Sequence, residues 1–262
     1  MLYNGDCIEI LKTLNANSVD LIFADPPYFL SNGGKSIHSG KIVSVNKGDW
    51  DDKNTYSNHL NFTEQWLNES YRVLKFGGSI WVSGTVHNIF DVKNYLDKIG
   101  FKIINIVVWH KTDPPPLIYK NKLKFSYELI IWASKGFKHE FNYDEMFKIN
   151  NCELEDVWTI PAVQMKEKKF GYHPTQKPEA LLERIIEACS KEGETVLDPF
   201  SGSGTTCYVA KKLKRNYIGI EKEKEFFDIS KRRIDSIWFF RIILETGISV
   251  AIVWENIYIN YK

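Results

Sequence analysis

Residues 19–24, VDLIFA, are apolar at five of six positions, and the run stops at Asp25-Pro26-Pro27. Two consecutive prolines fix φ and remove two amide donors, so an extended segment has to end there. A short run that is apolar on both faces belongs inside a sheet covered on both sides, not on a half-solvated one. Further runs of this kind occupy residues 78–83, 101–109, 129–133, 195–197 and 217–220. Between them, residues 60–74, 90–99, 180–189 and 204–213 repeat apolar side chains at helical spacing. Strands alternating with helices predict an α/β fold, an open and mostly parallel sheet with helices on both faces.

The chain has 262 residues, 44% of them hydrophobic, enough for one sizeable core. Lys+Arg total 34 against Asp+Glu 33, a formal charge of +1, so contact with a polyanion has to come from local patches. Cys7, Cys152, Cys189 and Cys207 include no CxxC pair and have no histidine at zinc-ligand spacing. No metal and no disulfide frame are expected, and a reducing cytoplasm fits. The first dozen residues carry acids and no signal-like apolar run. The apolar stretch 237–261 is interrupted by Arg241, Glu245 and Glu255, too often for a membrane span. Residues 31–55 and 137–172 break the strand–helix rhythm and read as long functional loops.

Three places carry chemistry. DPPY at 25–28 follows the first strand, at the carboxyl end where open α/β sheets bind ligands. There the Asp25 carboxylate and the Pro26 carbonyl form a cluster of acceptors able to take both hydrogens of an exocyclic amino group, and Tyr28 offers a flat face to a base. The second is DPFSGSGTT at 198–206, a strand running through a glycine turn into a helix, where amides can approach an anionic group closely. Cys207 stands where a dinucleotide-binding turn would have its third glycine, and no Gly-Lys-Ser/Thr follows, so neither a dinucleotide turn nor a P-loop is indicated. The third is Glu221, one βαβ unit further on, placed to accept from a ribose diol. The glycine turn and Glu221 together predict a nucleoside-bearing cofactor with a carboxylate and no phosphates, which describes S-adenosylmethionine.

These residues resemble a known family, the DNA amino-methyltransferases. DPPY ahead of the glycine segment is the permuted order of the β class found in restriction-modification systems. The runs SNGG at 31–34, KGDWD at 47–51, WT at 158–159 and HPTQKP at 173–178 are similar to DpnA-type adenine methyltransferases, with the likeness covering residues 1 to about 235. The resemblance implies a Rossmann-like methyltransferase fold with circularly permuted motifs. It implies that Asp25, Pro26, Pro27 and Tyr28 hold the flipped adenine. It assigns the cofactor to Asp198, Pro199, Phe200, Gly202, Gly204, Thr205, Thr206 and Glu221, with Asp6 near its adenine and Thr175, Gln176 and Lys177 closing over its methionine end.

The expected reaction is direct transfer of a methyl group from S-adenosylmethionine to adenine N6 in DNA, with GATC as the site. No cysteine follows a proline, so the covalent cytosine-C5 route is not indicated. The target base has to leave the helix to reach such a pocket. Lys47, Trp50, Lys111, Lys166, Lys168 and Lys169 are the candidate DNA contacts. The expected organisation is a catalytic domain over 1–236 with DNA-reading insertions at about 31–55 and 137–172. An atypical apolar tail over 237–262 could add an edge strand, make a homodimer contact or be a sequence artefact. An N4-cytosine methyltransferase is the nearest alternative, with Asp25 rather than Ser favouring adenine. A nicotinamide oxidoreductase and a non-catalytic DNA-binding module are the alternatives from other classes.

Overall fold

The computed structural model describes residues 1–27, 35–38, 41–44, 56–114, 116, 121, 123–150 and 154–246. Its strands are β1 (Leu2–Asn4), β2 (Val19–Ala24), β3 (Lys35–His38), β4 (Lys41–Ser44), β5 (Leu74–Gly84), β6 (Lys102–His110), β7 (Tyr127–Ser134), β8 (Val157–Thr159), β9 (Thr195–Asp198) and β10 (Asn216–Glu221). Its helices are α1 (Cys7–Thr13), α2 (Tyr56–Val73), α3 (Ile89–Ile99), α4 (Tyr143–Asn150), α5 (Glu179–Cys189), α6 (Thr205–Lys212) and α7 (Lys224–Thr246).

Eight strands form one sheet in the order β1-β10-β9-β2-β5-β7-β6-β8. β1, β10, β9, β2 and β5 run parallel, while β7 is antiparallel to both β5 and β6. Side-chain alternation divides the core into two layers. Ile22 and Ala24 of β2 and Ile80 and Val82 of β5 pack with Leu11 of α1, Trp66 and Leu67 of α2 and Leu96 of α3. Leu21 and Phe23 of β2 and Trp81 of β5 pack on the other side with Leu181, Ile185 and Ile186 of α5 and Val209 of α6. Trp81 and Trp132 stack there, 4.9 Å apart and 9° from parallel. β2 is therefore buried on both faces, as its composition requires.

Two expectations need correcting. Residues 31–55 are not simply a loop, since β3 and β4 pair as an antiparallel hairpin from Lys35↔Ser44 to His38↔Lys41. Residues 137–172 contain α4, β8 and a 3-10 turn at Met165–Lys168, elements too short to show a period in sequence. α7 runs through position 236 without a break as far as Thr246. The apolar segment 248–254 lies outside the described residues.

Parallel strands that neighbour one another end on the same side. The carboxyl ends of β1, β10, β9 and β2 thus place Asp6, Glu221, the glycine turn and Asp25 along one edge of the sheet.

Candidate active site

Asp25, Pro26 and Pro27 line a cleft of about 390 Å³ together with Pro199, Phe200 and Gly202 of the glycine turn. Gly5, Asp6 and Cys7, the run from Ile220 to Glu223, Phe62 of α2, His173, Thr175 and Phe226 complete its walls with Asn58 and His59. That volume is within the usual range of about 300–1,000 Å³ for small-molecule sites. Asp25 and Gly202 share this one cleft.

Two carboxylates of the cleft, and a third just beneath it, are fixed by amides just downstream. Asp6 accepts from Ile8 N at 3.0 Å and Glu9 N at 3.3 Å, capping α1. Asp198, 3% exposed beneath the cleft, accepts from Phe200 N at 2.9 Å and from the Thr206 hydroxyl at 2.5 Å, and so braces the turn from below. Burial, with the charges of Asp25 and Glu221 adding to it, pushes the Asp198 carboxyl up to about 7 against those two hydrogen bonds. Glu221 accepts from Glu223 N at 2.7 Å and, from the adjacent glycine turn, from Gly202 N at 2.8 Å, and burial raises its carboxyl as well.

The two turn glycines do different work. Gly202 has φ +50, and a Cβ there would sit 2.9 Å from His173 Nε2, on the cleft wall. Gly204 has φ +77, and a Cβ there would meet Ser230 Oγ of α7 at 2.1 Å, so its constraint is helix packing. Its amide donates to Ser201 O at 2.7 Å. The Thr205 hydroxyl accepts from Arg233 Nη1 at 2.8 Å, and Thr206 is held by Asp198. Both threonines are buried and line a small recess adjoining the cleft.

Lys177 of HPTQKP is turned toward the Asp25 carboxylate, to which it donates, and Glu128 Oε2 lies 3.5 Å from its ammonium. Glu128, at the start of β7, also accepts from Lys111 and, at 3.4 Å, from the Ser83 hydroxyl. Burial opposes ionisation of Glu128, yet the Lys177 and Lys111 ammoniums outweigh it and bring the carboxyl down to about 2. Burial likewise works against the Lys177 charge, and Asp25 and Glu128 overcome it, leaving its ammonium above the usual range. Gln176 donates to Glu167 O at 3.1 Å, and Glu167 Oε2 accepts Glu179 N at 2.8 Å, strapping the segment to the start of α5.

The cleft suits a particular kind of ligand. Asp6, Asp25, Glu221 and Glu223 give it an acid lining that repels phosphates and favours a cation bearing hydroxyls. Phe62, Phe200, Phe226 and Ile220 supply apolar faces for an aromatic base. S-adenosylmethionine, a sulfonium with a ribose and an adenine, fits these residues; a dinucleotide does not.

Residues 19–232 match the DNA methylase family that comprises the N6 and N4 amino-methyltransferases. The chain belongs to that family. The methylase is 48% identical over 239 residues to the Type II methyltransferase M2.MboI of Moraxella bovis, covering 90% of this chain and 88% of the relative. It is 46% identical over 240 residues to the Type II methyltransferase M2.DpnII of Streptococcus pneumoniae, covering 90% of each. Among solved structures, the M1.HpyAVI–SAM complex superposes with a TM-score of 0.68 at 27% identity, over 90% of this chain and 98% of that one. The cytosine-N4-specific PvuII DNA methyltransferase superposes with a TM-score of 0.72 at 20% identity, over 89% and 85%, and shares the fold.

Against the sequence expectations, the methylase brings Asp6, Asp25, Pro26, Pro27, Thr175, Pro199, Phe200, Gly202 and Glu221 to the main cleft. Gln176, Lys177, Asp198, Thr205 and Thr206 lie around the adjoining recess, while Gly204 faces α7. Lys111, expected to meet phosphate, is instead largely buried, paired with Glu128 and set 4.7 Å over the Trp109 ring. Lys166 and Lys169 are exposed and Lys168 half-buried on the 3-10 turn beside the cleft segment. Tyr28, Lys47 and Trp50 lie outside the described residues. Sequence reasoning missed Glu128, His173, Phe62 and Phe226. His173 was within reach, as part of HPTQKP; Phe62 and Phe226 lie on helices with no motif around them to mark them. Among the described residues no group of three His, Cys, Asp or Glu side chains could hold a metal, and no helix is long and apolar enough to cross a membrane.

Proposed function

We propose that the methylase transfers the methyl group of S-adenosylmethionine to N6 of adenine in DNA, within GATC sites, as the modification enzyme of a restriction-modification system. The observation that carries this reading is the single cleft shared by Asp25 and the glycine turn. When bound, S-adenosylmethionine supplies an electrophilic methyl group on a positively charged sulfur. Glu221 and Asp6 would hold its ribose and adenine, and Phe200, Gly202 and Thr175, which line the same cleft, would enclose the rest. Asp25 and the Pro26 carbonyl accept the two hydrogens of the adenine amino group, which turns the nitrogen lone pair toward the methyl carbon. A methyl group presented there would pass from sulfur to nitrogen, and Asp25 would take up the surplus amino proton. Cys7 and Cys189 take no part, for burial pushes both thiols up to about 12.

Eversion of the base costs on the order of a few kcal/mol in lost stacking, which Tyr28 offsets in part. Lys166, Lys168 and Lys169 meet phosphate, and the segments 31–55 and 137–172, with Lys47 and Trp50 in the first, read the sequence. The catalytic unit is residues 1–236, and the enzyme acts in the cytoplasm, with residues 237–262 available for a homodimer contact. Asp25, where the N4-cytosine enzymes more often have serine, favours adenine as substrate. The test is nucleoside mass analysis of GATC-containing DNA incubated with the methylase and labelled cofactor. N6-methyladenine is the expected product; N4-methylcytosine, or no labelled base, refutes the reading.

A further inference from the structure

Four carboxylates stand at or just beyond the carboxyl ends of neighbouring parallel strands, and three share one fixing device. Asp6 accepts from the amide two residues on, Ile8 N; Asp198 does so from Phe200 N, and Glu221 from Glu223 N. Asp25 cannot, because the residue two positions on is Pro27 and the one between is Pro26, neither of which has an amide hydrogen. The Pro-Pro sequence that leaves the Pro26 carbonyl available to a base thus denies Asp25 the clamp its counterparts use. The Lys177 ammonium, 152 residues away in the chain, stands against Asp25 Oδ2 instead.

An ammonium on a flexible stem orients a carboxylate only if it is itself held. Here Glu128 takes Lys177 from behind, and Lys111 takes Glu128, giving an alternating row Asp25⁻–Lys177⁺–Glu128⁻–Lys111⁺. Lys177 is only 6% exposed in its side chain, and Glu128 only 14%. Apolar side chains would fill such a space at less cost in desolvation. The row exists at this edge because β7 runs antiparallel, so that its first residues, not its last, lie beside the end of β5, whose other neighbour is β2.

We propose that Glu128 is a positioning residue for methyl transfer, acting through Lys177 to fix the plane of the Asp25 carboxylate in place of the missing downstream amide. This rests on the reading of Asp25 as the group that holds the substrate amino nitrogen. With Oδ2 held against Lys177, rotation of the carboxylate is opposed and Oδ1 is left to face the cleft that Asp25 lines.

The test compares the full-length wild type with Glu128→Gln on GATC-containing DNA, measuring kcat, KM for DNA and, by calorimetry, S-adenosylmethionine affinity. Wild-type turnover establishes the underlying reading; a wild type that methylates no DNA base refutes that reading and not merely this inference. Given wild-type turnover, Glu128→Gln is expected to lower kcat about 100-fold, the scale of a small misplacement of a reacting group. Cofactor affinity should stay within about twofold, the factor separating a local effect from a collapsed cleft. An unchanged kcat overturns the proposal, as does a loss confined to KM for DNA, which is the mark of a phosphate contact. Should the glutamine variant not fold, Lys111→Gln loosens Glu128 from its far side and is read in the same way: lower kcat at unaltered cofactor affinity supports the proposal, and unaltered kcat overturns it.

Discussion

Asp198 should make the stability of the methylase fall as pH rises through neutrality. Its carboxyl is 3% exposed and titrates at about 7 in the folded chain, against 3.8 for an unperturbed aspartate. A carboxyl whose folded pKa is raised stabilises the fold fully below its unfolded pKa, and that contribution is lost as pH rises through the folded value. The shift corresponds to about 4 kcal/mol in all, at about 1.4 kcal/mol per pH unit, and roughly 3 kcal/mol of this lies between pH 5 and 8. Asp198→Asn isolates the effect. The amide oxygen can still accept from Phe200 N, and the amide nitrogen can donate to the Thr206 hydroxyl, so the brace beneath the glycine turn survives without its charge. Urea unfolding of both proteins at about pH 5, 6, 7 and 8 should show the variant gaining on the wild type by roughly 3 kcal/mol across the series. A stability difference that is flat with pH would refute the idea that burial raises this carboxyl.

Other outcomes follow from the same geometry. Asp25→Ala should abolish methyl transfer while calorimetry still detects S-adenosylmethionine, since the cofactor walls are intact; near-normal methylation would remove Asp25 from the reaction. Gly204→Ala should destabilise the fold by about 2 kcal/mol or more through its positive φ and the clash with Ser230, visible as a lower urea midpoint. Gly202→Ala should instead weaken cofactor binding, because its new methyl group points at the cleft wall by His173; unchanged affinity in calorimetry would argue against that wall as a ligand surface. Replacing Lys168 and Lys169 together with glutamine should weaken DNA binding and reduce the slope of log K against log salt by about 1 for each phosphate no longer neutralised. Equal slopes in fluorescence titration would mean these lysines are merely solvated.

β2, β5 and β7 were legible in sequence because their central residues are buried on both faces and form near-continuous apolar runs. β6, exposed on one face, and β10, buried only at Gly219 and Ile220, were legible from short runs of β-branched and aromatic residues. β1 and α1 were not legible, since three residues at a sheet edge carry no period, and Asp6 reads as a turn until the amides of Ile8 and Glu9 are seen to point at it. The site followed the same rule. DPPY and the glycine turn were visible because each is a local sequence with a local conformation. Glu128 was not, because its role depends on β7 reversing direction and on Lys177 arriving from a distant segment, and neither is written in the residues around it. For the same reason Lys111 looks like a loop lysine in sequence and is a buried partner of Glu128 in space.

The pairing of β2 with β9, Leu21 against Val196, has a consequence for synthesis on the ribosome. β2 and β9 are more than 170 residues apart in the chain, yet they lie side by side. A growing chain halted before residue 195 has nothing to pair against one edge of β2, so that edge stays open to aggregation or to chaperones until β9 is made.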